Sequence, residues 1–211
     1  MKNDQPIGVD LFAGAGGLSL GFEQAGFSVL AAVEYDPVHA ATHEFNFPEC
    51  STICRSVSDI DGAYIRKHSR IGKREIDVVF GGPPCQGFSM IGKRALDDPR
   101  NSLVSHFVRI VTELDPKFFV FENVRGLTLG EHKNLLVEII EAFTAQGYDP
   151  LEDYRVLNAA KLWCPTGSAT SFPDGCAKRS TVAFLPQPHP SNPRHYEVPF
   201  RSIRAHSARR T

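Results

Sequence analysis

Ile7-Gly8-Val9-Asp10-Leu11-Phe12-Ala13-Gly14-Ala15-Gly16-Gly17 reads as a short apolar strand running straight into a glycine loop. A helix follows on which Leu18, Leu20, Phe22 and Ala25 share a face, stopped near Gly26. Glycines at such a turn let the main chain approach a ligand, and the helix N-terminus faces it. Alone, the loop is equally a tight strand-to-helix turn, and its spacing is not the G-x-G-x-x-G of dinucleotide binders. Outward from it the same alternation continues. Phe27 to Val33 is a second strand ending in Glu34-Tyr35-Asp36, and Pro37 to Phe47 is a helix with Pro in its first turn. A short strand around Ser51 to Cys54 precedes Ser58-Asp59-Ile60. Further strands are expected over Ile76 to Phe80, Lys117 to Phe121 and Asp153 to Leu157, with helices over Ser102 to Leu114 and about Lys133 to Gln146. Strands alternating with helices through short turns predict a Rossmann-like α/β fold, a mostly parallel sheet with helices on both faces.

A chain of 211 residues with 42% hydrophobic content is enough for one domain with a core. No apolar run is long enough for a membrane span, and the N-terminus lacks the apolar segment of a signal peptide. Five cysteines do not suggest a disulfide framework, and Cys50-x3-Cys54 has no answering ligand pair, so zinc is not expected. A cytoplasmic protein with reduced thiols, no metal and no membrane partner is expected. Charge is unevenly spread. Residues 1–161 carry 16 Lys and Arg against 22 Asp and Glu, whereas residues 162–211 carry 7 against 2 and hold 7 of the 15 prolines. That break divides the chain into a domain over residues 1–160 and a basic, Pro- and Arg-rich, irregular tail over residues 161–211.

The strand at Ile76 to Phe80 empties into Gly81-Gly82-Pro83-Pro84, which presents Cys85 at the strand's carboxyl end, followed by Gln86 and Gly87. Ligands of open α/β sheets bind at such ends. A lone cysteine is more often structural, but two prolines locking the backbone ahead of it favour a thiol aimed at a substrate. Glu34, just past the second strand, suits a ribose diol or is a solvated loop carboxylate. Tyr35 could lie against an adenine face or pack structurally, and Asp59 could accept from an adenine amino group or cap a turn. Glu122 ends the fifth strand beside Asn123. A carboxylate there is costly unless used; in a dry cleft it could carry a proton to a ring nitrogen, or it could pair with Arg125.

Together these motifs resemble the DNA cytosine-5 methyltransferases of bacterial restriction–modification systems. The resemblance rests on Asp10 to Gly17, Glu34, Asp59, Gly82-Pro-Pro-Cys-Gln-Gly-Phe-Ser89, Asp98-Pro-Arg-Asn-Ser-Leu103 and Glu122-Asn-Val124, and covers roughly residues 7 to 160. It implies the Rossmann-like S-adenosylmethionine-dependent methyltransferase fold and, as partner, double-stranded DNA whose target cytosine is flipped out. It further implies that Cys85 adds to C6 while Glu122 engages N3 and Asn123 braces the proline–cysteine loop. S-adenosyl-L-methionine would be held by Phe12, Gly14, Gly16, Gly17, Leu18, Glu34, Tyr35, Asp59, Ile60, Pro84 and Leu103. The Gly87 to Arg100 loop would close over DNA. The cellular place implied is the bacterial cytoplasm, at the nucleoid.

After Ala160 the family pattern stops. The Gly-Val-Pro-Gln turn, the Arg-x-Arg strand that follows it, the target-recognition domain and the closing C-terminal helix are all missing. A shift of reading frame near Ala160 is therefore expected, with a split enzyme completed by a second polypeptide as the competing explanation. A catalytically inactive cofactor- or DNA-binding remnant is the alternative of a different class. The RNA-directed branch fits Gly87-Phe-Ser89 less well, and a nicotinamide oxidoreductase would leave Pro83-Pro84-Cys85 unexplained.

Overall fold

The computed structural model describes residues 5–84, 102–123, 133–148, 155–158 and 180–183. Five parallel strands form one sheet in the order β3-β2-β1-β4-β5: β1 (Ile7–Leu11), β2 (Ser28–Glu34), β3 (Ser51–Cys54), β4 (Val78–Gly81) and β5 (Phe118–Phe121). Strands β1 and β4 are buried along their whole length, as expected where both faces of a parallel sheet are covered. Helices α1 (Gly17–Gln24) and α2 (Pro37–Asn46) lie on one face, where Leu18, Phe22 and Phe47 pack with Val29, Val78 and Phe80. Helices α3 (Gly62–Lys67), α4 (Ser102–Leu114) and α5 (Lys133–Ala145) cover the other, where Ile65, Phe107, Ile110, Leu136, Ile139 and Phe143 meet Val9, Val79, Phe119 and Phe121.

Local chemistry sets the boundaries. Asp36 caps α2, its Oδ1 accepting from the amides of Val38 and His39, and Pro37 supplies the first helical residue. Asp61 caps α3 by accepting from the Tyr64 amide at 2.6 Å. The strands begin and end within two residues of their expected limits, and α4 spans Ser102–Leu114 as expected. Two elements differ from expectation. Helix α3 was not anticipated, because in six residues it buries a single large apolar side chain, Ile65. The tail is not wholly irregular either: β6 (Arg155–Asn158) pairs antiparallel with β7 (Ser180–Ala183), and β7 runs close to β5.

Candidate active site

From β1 the chain steps outward to β2 and β3, then crosses back to β4 on the other side of β1. The carboxyl ends of β1 and β4 therefore flank the point where strand order reverses, and the crevice of an open α/β sheet opens there. Leu11 and Gly81 are register partners at this edge. A Cβ on Gly81 would overlap the Leu11 carbonyl, so only glycine allows the two strands to end side by side.

On the β1 side stands the glycine loop. Phe12 has φ 64, a left-handed conformation that costs a non-glycine residue about 1–3 kcal/mol and tends to occur at functional positions. Gly16, with φ 99, is the N-cap of α1 and leaves the helix amides without a side-chain cap. Around would-be Cβ atoms on Gly14 and Gly17 no atom of the described residues lies within 4 Å, so among these residues the loop borders open space. Glu34 fixes its shape: Oε2 accepts from the Gly14 amide at 2.8 Å and Oε1 from the Asp36 amide at 2.8 Å. Tyr35 beside it is 74% exposed. Leu18 and Leu103 are half-buried, Pro84 is exposed, and Ile60 is buried in the core. Asp59 is exposed in the loop after β3 and accepts from the Ser58 hydroxyl at 3.0 Å.

Beneath the loop runs a buried polar chain that sequence reading did not single out. The Ser19 hydroxyl donates to Asp10 Oδ2 at 2.7 Å and lies 3.0 Å from His43 Nε2, while His43 Nδ1 lies 3.1 Å from Thr52 Oγ1. Asp10, Ser19 and His43 are fully buried. Desolvation pushes the Asp10 carboxyl up to about 7, against the lowering effect of hydrogen bonds from Ser19, with a smaller upward push from Glu34. Among the described residues Asp10 Oδ1 has no hydrogen-bond partner. Burial lowers His43 from the ordinary histidine range. The available signal was a carboxylate inside an otherwise apolar strand.

On the β4 side, Asn123 Nδ2 donates to the Pro83 carbonyl at 2.9 Å, buried, and so ties the end of β5 to the proline turn. A Cβ on Gly82 would stand 2.5 Å from Glu122 Oε2, so the Glu122 carboxylate lies directly against the turn that leads to position 85. Cys85 and the Gly87 to Arg100 loop lie outside the described residues. Cys50 is a different kind of thiol: burial first, then Asp10 and Glu23, push it up to about 12. Among the described residues no cluster of His, Cys, Asp or Glu suits a metal, and no helix is long and apolar enough to cross a membrane.

The family described as C-5 cytosine-specific DNA methylase matches residues 8–165. The type II methyltransferase M.XorII of Xanthomonas oryzae pv. oryzae is 59% identical over 184 residues, covering 87% of this chain and 43% of that protein. The type II methyltransferase M.AquIA of Picosynechococcus is 40% identical, covering 87% of this chain and 77% of that protein. A crystal structure of a candidate prophage-encoded DNA modification methyltransferase of E. coli superposes with TM-score 0.70 at 35% identity, over 87% of this chain and 47% of that one. The chain thus spans under half the length of M.XorII. Coverage of 87% also carries the similarity past the residue-160 limit expected from the motifs.

Proposed function

The chain belongs to the C-5 cytosine-specific DNA methylase family, and from that premise we propose that it is the catalytic part of a DNA cytosine-5 methyltransferase. Residues 1–160 would form the S-adenosylmethionine-binding half, acting in the bacterial cytoplasm on DNA. The observation that carries this reading is the pairing of the β4 and β5 ends. Asn123 holds Pro83 and Glu122 lies against Gly82, so the main chain entering Cys85 is fixed beside a carboxylate. Across the switch point stands an open glycine loop.

The fit to S-adenosyl-L-methionine rests on that open space and on which groups border it. Gly14 and Gly17 leave room for a ligand against the main chain. The exposed Tyr35 ring offers an apolar face, and the exposed Asp59 carboxylate an acceptor for an exocyclic amine. Glu34 spends one lone pair of each oxygen on the loop and keeps the second of each for a ribose diol. When bound, the donor supplies an electrophilic methyl group.

On the substrate side, the Cys85 thiolate adds to C6 of a flipped cytosine while Glu122 engages N3, so that C5 gains carbanion character. Once C5 had received the donor's methyl group, loss of the C5 proton to solvent base would release the electron pair that expels Cys85 and restores the ring. A thiolate suits both halves of the cycle, being a strong nucleophile and a good leaving group.

Trapping tests the reading. The full chain, incubated with a 5-fluorocytosine duplex and S-adenosylmethionine, should give a covalent DNA adduct that peptide mapping places on Cys85. An adduct on another residue overturns the nucleophile assignment, and no adduct, with or without a partner chain, favours an inactive remnant. A second reading, one subunit of a split enzyme, has its own support. M.AquIA is a methyltransferase short enough for this chain to cover 77% of it.

A further inference from the structure

We propose that Arg109 and Glu113 of α4 are a positioning pair that sets the 57–62 loop and, through it, recognition of the adenine end of the methyl donor. The inference rests on the reading above and deepens it. Arg109 Nη2 donates to the Val57 carbonyl at 2.7 Å and to the Ile60 carbonyl at 2.9 Å. Arg109 Nη1 donates to Glu113 Oε1 at 2.8 Å. The other Glu113 oxygen, Oε2, accepts from the Gly62 amide at 2.7 Å. One guanidinium–carboxylate pair therefore grips the loop at three main-chain points, and these bracket Asp59.

Within itself the loop is lightly held. The Asp59 amide reaches the Ser56 carbonyl at 3.1 Å, and the Ser56 and Ser58 hydroxyls share a bond at 2.7 Å. Asp59 is exposed and its carboxylate is held by the Ser58 hydroxyl of the same loop at 3.0 Å, so its direction follows that of the loop's main chain. There is also no slack on the α4 side: a Cβ on Gly62 would come 2.9 Å from Glu113 Cβ. As an ion pair alone this would count for little, because each side chain is about one-third exposed (34% and 33%). Its weight lies in the two carbonyls, which with Glu113 Oε1 give the planar fork three acceptors at once, a task a lysine ammonium meets poorly. His106 completes the support, its Nδ1 lying 3.4 Å from Arg109 Nε. The same helix carries the half-buried Leu103, so α4 would fix both a contact residue and the loop opposite it.

Binding to the full chain, measured with S-adenosylmethionine, 5′-methylthioadenosine and 5′-methylthioinosine, tests the proposal. The inosine analogue replaces the 6-amino group that Asp59 would accept from with an oxygen. The unaltered chain should prefer the adenosine form. Arg109→Met should weaken S-adenosylmethionine by about tenfold, the scale of a lost charge-assisted hydrogen bond, and should erase most of the adenine preference. Arg109→Lys should fall between. A packing role alone would weaken both nucleosides equally and leave their ratio intact, which overturns the proposal while sparing the functional reading. Failure of the unaltered chain to bind S-adenosylmethionine would remove that reading and this inference together. Should Arg109→Met not fold, Glu113→Gln carries the test: an unchanged ratio there overturns it equally.

Discussion

Asp10 shows how one residue's environment can set a pH response. Ser19 has a single hydroxyl proton, and it goes to Asp10 Oδ2. A neutral His43 must then offer Nε2–H to Ser19 and receive the Thr52 hydroxyl at Nδ1, giving a chain directed from β3 through α2 and α1 to β1. At its end the carboxyl faces burial and the nearby Glu34 charge, against which the hydrogen bonds from Ser19 act. Unfolded, Asp10 titrates near 3.8; folded, at about 7. Between those values the folded chain keeps a proton that the unfolded chain has lost, so this group's stabilisation is fully present in acid and drains as pH rises through the window. Asp10→Asn has no charge to bury. Its Tm relative to the unaltered chain is therefore expected to climb between about pH 4 and about pH 7, by an amount reflecting a few kcal/mol, and to level off above that. A Tm difference that stays flat across that range would show that Asp10 is not titrating there.

The elements divide into those legible from their own residues and those made by distant ones. Helix α4 could be read from its sequence because Leu103, Phe107, Ile110, Val111 and Leu114 recur at helical spacing; the last four are fully buried and Leu103 is half-buried. The strands were legible as β-branched and aromatic runs, and the site's location followed from their carboxyl ends, whereas the reversal of strand order is seen only in the folded sheet. Helix α3 offered only the Asp61 cap, and β7 sits in proline-punctuated sequence whose partner lies more than twenty residues away. Arg109 was illegible for a similar reason: its acceptors are main-chain carbonyls that no residue identity advertises. The junction of β1 and α1 yields a prediction at this scale. Gly16 has φ 99, and a Cβ there would run into the Phe47 ring at the end of α2. Gly16→Ala should cost about 2–4 kcal/mol, the sum of left-handed strain and overpacking. That is a fall of roughly 5–15 °C for a domain of this size. A thermal melt within about a degree of the parent would mean that the two helices yield at no cost.

For the whole molecule the open question is why the family pattern breaks after Ala160, and the codons of the tail bear on the answer. Trp163 has one codon, TGG, and Cys164 begins TG; read one base later they force GGT, glycine. The same displacement lets Leu162-Trp163 give tyrosine, Cys164-Pro165 valine or alanine, Pro165-Thr166 proline and Thr166-Gly167 glutamine. Further on, Ser168-Ala169 and Thr170-Ser171 each admit arginine, Ser171-Phe172 valine and Phe172-Pro173 phenylalanine. The displaced frame therefore accommodates Tyr-Gly-Val-Pro-Gln-x-Arg-x-Arg-Val-Phe, containing the Gly-Val-Pro-Gln turn and Arg-x-Arg strand whose absence marks the break after Ala160. Each position alone is permissive, but a continuous match with one residue forced is not expected of unrelated sequence. A single inserted base near the Lys161 codon is thus predicted, and it requires that the identity to M.XorII be confined to residues before 161, although the alignment covers 87% of the chain. Sequencing the locus should find the displaced frame open downstream and encoding the remainder of the relatives' length. Deleting that base should give a chain that methylates DNA and releases β7 from Ser180–Ala183. If the displaced frame is closed by early stop codons, the tail is a real element paired through β6 and β7. Completion by a second polypeptide then becomes the explanation to pursue, tested by seeking activity on mixing with the chain encoded beside it.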